Sequence, residues 1–134
     1  MAARVRLRRH PGTRDKVDAM LERRLLGLLG LGVRAGNAII GVDRVRDAVV
    51  RGKIRLAVVA PDVSRHSLDK IVPLLTARHV QMIEGPTGAS LGAAVGRDST
   101  AVVGITNPAL ARGVRKLFEG TDAAPAARPR LSVR

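Results

Sequence analysis

The sequence predicts a three-layer α/β/α sandwich around a small, mostly buried sheet. Two observations carry this prediction. Helical and strand-like periodicities alternate along the chain, and the run Ile54-Arg55-Leu56-Ala57-Val58-Val59-Ala60 is apolar at nearly every position, as an inner strand covered on both faces requires. At 134 residues the chain is long enough for one domain with one core and too short for two ordinary domains with tails.

Each element has its own signal. From Lys16 to about Leu31, Val17, Met20, Leu21, Leu25, Leu28 and Leu29 recur at three- and four-residue steps, which puts them on one broad helical face. Gly30, Gly32 and Gly36 then stop this helix. Ala38-Ile39-Ile40 is a short strand, and Gly41 opens a second helix whose inner side is Val42, Val45 and Val49 and whose end lies near Gly52. The Ile54–Ala60 strand stops at Pro61-Asp62. Ser64 caps a third helix to about Ala77, with Leu68, Ile71, Val72, Leu74 and Leu75 inward and a kink expected at Pro73. Val80–Ile83 is a third strand, Ala89–Val95 a short helix and Thr100–Ile105 a fourth strand. Asn107 caps a last helix through Phe118. There is no internal repeat.

Charge points to a polyanionic partner. The chain has 24 Lys plus Arg against 11 Asp plus Glu, a net charge of +13, and nearly all the cations are arginine, whose planar fork suits phosphates and guanine edges. A pI near 11.8 exceeds what solubility demands, and neutralising phosphates is its common use; an anionic membrane surface is the remaining competitor. Phe118 is the single aromatic residue, which excludes base-stacking platforms built on exposed rings. Recognition then falls to arginine, backbone groups and shape. With no cysteine and with His10, His66 and His79 scattered, neither disulfide nor metal site is expected, and no cofactor. No run approaches the roughly 20 apolar residues of a membrane span, and the N-terminus lacks a secretory apolar stretch, so a cytoplasmic location is expected.

The charge is uneven. Arg4, Arg6, Arg8, Arg9, Arg14 and Lys16 face one acid, Asp15, near the N-terminus, and TDAAPAARPRLSVR after Gly120 has linker composition. Residues 1–14 and 120–134 read as flexible basic arms flanking a folded domain over 15–119. They either add electrostatic reach or are solvated ends with no dedicated partner.

Enzyme-like signals fail. Gly85-Pro86-Thr87-Gly88-Ala89-Ser90 lacks the lysine and spacing of a phosphate loop, and Gly30, Gly32 and Gly36 follow a helix and do not form a dinucleotide fingerprint. Neither His66 nor His79 has a local catalytic partner, and Ser64 with Asp62 reads as a cap. The better candidate is the junction at Gly41, where unpaired N–H groups and the dipole of a helix start attract anions among flanking arginines.

The order of elements, with RAG at 34–36, Gly41, AVVRGK at 48–53, AVVAPD at 57–62 and SLGAAVG at 90–96, resembles the L-seven-Ae family of kink-turn RNA-binding ribosomal proteins, and most closely its bacterial YlxQ branch. The resemblance spans roughly residues 25–118. It implies a four-stranded mixed sheet between helix layers, of the ribosomal L-thirty-e type, and an RNA site made by the start of the second helix and the loop after the LGxAxG segment.

In that family the second helix begins Gly-x-Asn-Glu-x-x-Lys. Here Gly41 matches, as does Arg51 further along, whereas Asp43 stands for the amide, Arg44 for the carboxylate and Asp47 for the cation. Arg44 can only donate, so it would seek guanine O6 and N7 or a phosphate. Altered or relaxed RNA specificity is therefore expected. Arg44, Asp47 and Arg51 equally fit a surface ion-pair ladder at i,i+3 and i,i+4 spacing.

The second candidate is Gly96-Arg97-Asp98-Ser99-Thr100, which resembles the family loop that closes over extruded bases. Arg97, Ser99 and Thr100 would hold phosphate there, or the segment is a plain connection. Gly36 and Arg34 before the first strand, Val42 beside Gly41, and Lys53 after the second helix are assigned to the same RNA face; Lys70 and Arg78 read as solvated. The reading is a non-enzymatic binder of structured or ribosomal RNA, with ribosome association possible and a monomer favoured. Its alternative is a ribosome-associated or protein-interaction module that has lost kink-turn base readout.

Overall fold

The computed structural model describes residues 4–6 and 13–118, with side chains from residue 19 onward. Its elements are β1 (Arg4–Arg6), α1 (Thr13–Arg34), β2 (Ala38–Ile40), α2 (Val42–Val50), β3 (Leu56–Val59), α3 (Arg65–Ala77), β4 (Met82–Glu84), α4 (Gly88–Val95), β5 (Val102–Ile105) and α5 (Pro108–Leu117). The strands lie in the order β1-β4-β3-β5-β2, with β3 parallel to β4 and antiparallel to β5, and β2 antiparallel to β5. The expected four-stranded mixed sheet is therefore present as β4-β3-β5-β2, with β1 added as a fifth strand at the β4 edge and β3 innermost as its apolar run requires.

Side-chain alternation along β3 builds the three layers. Leu56, Val58 and Ala60 face one core with Leu25 and Leu29 of α1, Leu91 of α4, and Ala111 and Val114 of α5. Ala57 and Val59 face a second core with Val45 and Val49 of α2 and Ile71 and Leu75 of α3. Gly104 keeps β5 close to the second layer, since a Cβ there would lie 2.8 Å from Ile54 Cδ1 and 3.2 Å from both Val45 γ-carbons. Helices α3 and α5 start where the sequence puts them. Ser64 Oγ accepts from the Ser67 N–H at 3.1 Å, and Asn107 Oδ1 from the Leu110 N–H at 2.9 Å. Helix α3 continues through Pro73 to Ala77.

Several expectations change. Met20 is half exposed, at 52%, because the buried stripe of α1 is the narrower Leu21, Leu25 and Leu29 line. The segment read as an N-terminal arm, 1–14, contains a strand and the start of a helix. Arg4–Arg6 pairs in parallel with Met82–Glu84, since the unpaired backbone groups at the β4 edge accept an extended segment. The C-terminal tail expected over 120–134 lies outside the described residues.

Candidate nucleic-acid interface

Strands β2, β3 and β4 all run one way, so the helices that follow them, α2, α3 and α4, all begin at one end of the sheet. The chain re-enters the sheet at that same end through the 96–101 loop. Two backbone bonds fasten it there, from the Gly41 N–H to the Val102 carbonyl at 3.1 Å and from the Ala60 N–H to the Ala101 carbonyl at 2.8 Å. The two segments expected to contact RNA, around Gly41 and around Gly96, thus adjoin.

The three helix starts differ. Thr87 Oγ1 accepts from Ser90 N–H at 3.1 Å, and Asp62 Oδ1 takes the Gly88 N–H at 2.8 Å, so α4 is closed by the chain itself. The glycine run 85–90 is consequently a capped strand-to-helix turn. Ser64 closes α3 in the same way. Helix α2 has no side-chain cap: its N-cap is Gly41 at φ 101° and ψ 149°, a conformation reserved for glycine, which leaves the first-turn N–H groups without a side-chain acceptor beside the half-buried Val42.

The side chains of α2 are unequally engaged. Asp43 lies 3.8 Å from Lys70 Nζ of α3, and Asp47 Oδ2 pairs with Arg51 Nε at 3.2 Å. The Asp47–Arg51 rung of the ion-pair ladder therefore forms. Arg46 Nη1 donates to the Lys70 carbonyl. Arg44 is exposed and carries no hydrogen bond or ion pair among the described residues. It is the side chain at this helix start best placed to accept a new partner.

The 96–101 loop lies tight against α4. A Cβ at Gly92 would meet Ser99 Cα at 2.4 Å, and the Arg97 N–H donates to the Gly92 carbonyl at 2.7 Å. Arg97, Asp98 and Ser99 are exposed. Thr100 is not available as a phosphate ligand: it is 8% exposed, its hydroxyl donates to the Val102 carbonyl at 3.3 Å, and its N–H to the Gly88 carbonyl at 3.1 Å. Its inward turn follows from its position next to the buried strand β5.

Arg34, Gly36 and Lys53 do not lie beside Gly41. They precede β2 and β3, at the end of the sheet opposite to the starts of α2, α3 and α4. Gly36, at φ 79°, closes α1 through its N–H to the Val33 carbonyl at 3.1 Å, which is a structural role. Arg51 sits past the last turn of α2, about 15 Å along the axis from Gly41 at about 1.5 Å per residue. Lys70 and Arg78, read as solvated, both bridge α3 to α2, since Arg78 Nη1 donates to the Val50 carbonyl at 3.2 Å. No sequence spacing linked those pairs.

Among the described residues no group of three or more His, Asp or Glu side chains is placed to hold a metal ion, and no helix is long and apolar enough to cross a membrane. Residues 23–114 match the ribosomal protein L7Ae/L30e/S12e/Gadd45 family. The chain belongs to that family. Solved structures of the L7Ae-like fold superpose on it. A Bacillus halodurans protein of unknown function gives a TM-score of 0.66 at 25% identity, covering 71% of this chain and 96% of its own. The Giardia lamblia 15.5kD RNA binding protein gives 0.64 at 23% identity, covering 73% and 84%. No curated protein sequence matches the chain. The L7Ae-family match contains α2, the 96–101 loop and every side chain discussed at that end of the sheet.

Proposed function

We propose that this protein is a non-enzymatic RNA-binding module of the L7Ae type, from the YlxQ-like branch, acting on kink-turn-like or ribosomal RNA in the cytoplasm. The observation that carries the reading is the uncapped, glycine-opened start of α2 next to the exposed Arg97 loop, with Arg44 unengaged between solvent and helix. Uncapped N–H groups at a helix start and two guanidiniums suit phosphate oxygens and guanine acceptors. Family membership supports RNA as the partner, and the Giardia protein that shares the fold is itself an RNA binder.

Specificity is altered or relaxed. Asp43 and Asp47 place negative charge where an RNA-facing helix benefits from amide and cation, and each is partnered within the protein by Lys70 or Arg51. Those two pairs also favour a second reading, a ribosome-associated or protein-interaction module without kink-turn readout. Binding to a kink-turn RNA and to a matched unkinked duplex across salt separates the two. Kink preference that survives moderate salt and falls with Arg44→Ala supports the RNA site; equal binding to both RNAs that Arg44→Ala leaves unchanged supports the second reading.

A further inference from the structure

We infer that the end of the sheet opposite Gly41 is a second RNA surface, one that holds phosphate backbone without reading bases. The inference rests on RNA as the partner and adds a site that the family-type end does not contain.

Acidic side chains are unevenly placed between the two ends, and at the Gly41 end they stand among Arg44, Arg65 and Arg97. Asp43, Asp62, Glu84 and Asp98 all belong to the end where α2, α3 and α4 start, at the helix starts themselves, at strand ends or in the 96–101 loop. At the other end converge the turns before β3 and β4 and helix α5. These bring Lys53, Arg55, Arg78, Arg112, Arg115 and Lys116. Among the described residues, the Asp47–Arg51 and Asp43–Lys70 ion pairs involve none of these six.

Hydrogen bonds fix Arg55, Arg78 and Arg115 at this end, and Arg112 lies close enough for its charge to act on Arg115. Arg115 Nη2 donates to the Arg55 carbonyl at 3.1 Å and its Nε to Gln81 Oε1 at 2.8 Å, joining α5 to the turns before β3 and β4. Arg55 N–H donates to the Ile105 carbonyl at 2.7 Å, and Arg78 Nη1 reaches the Val50 carbonyl beside the Lys53 turn. Burial, and next the charge of Arg112, lower the pKa of the Arg115 guanidinium, which stays a cation all the same. Mutual repulsion of this kind is relieved by a polyanion.

The chemistry selects backbone over bases. Phe118, the sole aromatic, is 2% exposed, so no ring stacks a base, and the exposed stems of Lys53, Arg55, Arg112 and Lys116 offer charge without fixed bidentate geometry. A duplex phosphate backbone fits such a surface. A protein with one surface at each end of a thin sheet would hold two RNA segments apart by the length of a strand.

The test uses the full chain, an unkinked RNA duplex, and the variant Lys53→Gln/Arg55→Gln/Arg112→Gln/Lys116→Gln, which spares the hydrogen-bonding Arg78 and Arg115. The expected result is about a tenfold or greater loss of duplex affinity near 100 mM salt, with a salt slope lower by two or more. Arg44→Ala should leave the slope within about one of wild type. Charge-reversed Lys53→Glu/Arg112→Glu gives the same readout if the quadruple variant melts early. Unchanged duplex affinity and slope in a folded variant overturn the second surface while leaving the RNA reading intact. Failure of wild type to bind either duplex or kinked RNA overturns the RNA reading itself. Charge-dependent capture by phosphatidylserine vesicles with no effect of the variant on RNA assigns the surface to a membrane and overturns the proposal.

Discussion

Asp62 holds the start of α4: its Oδ1 accepts the Gly88 N–H at 2.8 Å, and the Gly88 carbonyl in turn accepts the Thr100 N–H at 3.1 Å. One carboxylate after β3 therefore positions the loop that flanks the uncapped start of α2.

Removing it should be felt at a distance. Asp62→Ala leaves the Gly88 N–H without its acceptor in a buried setting, and we expect a loss of about 1–2 kcal/mol in urea unfolding. Amide exchange at Thr100 should speed up in the same variant. Asp62→Asn, which keeps an acceptor oxygen, should recover most of both.

Glycine positions divide by what stands next to them. Gly92→Ala drives a methyl to 2.4 Å from Ser99 Cα, so the loop must move, at a cost of about 1–3 kcal/mol. Gly27→Ala and Gly113→Ala meet nothing within 4 Å inside α1 and α5, and each should stabilise by roughly 0.4–1 kcal/mol. Denaturant midpoints of the three single variants test both directions.

The Asp47–Arg51 pair is exposed, with side chains 66% and 62% accessible. A double-mutant cycle with alanine should give only about 0.3–0.5 kcal/mol of coupling. Asp47→Lys instead places a cation where the family pattern has one. It should raise kink-turn RNA affinity and steepen its salt dependence, at a cost of a few tenths of a kcal/mol from repulsion between the introduced ammonium and Arg51. No gain in RNA binding would count against this face of α2 as the contact surface.

Local signals were legible. Ser64 and Asn107 reveal themselves as caps because a cap depends on residues three positions apart, and Ala38–Ile40 stands out between a glycine turn and Gly41. The pairing of the Gly41 region with the Gly96 loop came from resemblance, not from spacing. What the sequence hid depends on where strands end. Lys53 lies near Gly41 in sequence, yet a nine-residue helix separates them, so they face opposite ends of the sheet. Thr100 looked like a loop hydroxyl because its burial is set by Gly88 and Val102, which are fixed only when β5 is in place. Lys70 and Arg78 reach α2 across the helix pair, a relationship that no periodicity records.

The strand order also governs how the chain is made. Ala38 pairs with Ile105, and Leu56 pairs with Ile105 as well, so β2 and one side of β3 wait for a strand synthesised near the end of the domain. Until then only the pairings of β4, with β3 across α3 and with β1, can close. On a ribosome, α1 and α2 must emerge with leucine and valine stripes uncovered. Assembly depends on late, non-local closure, which slows folding relative to a helical bundle of equal size.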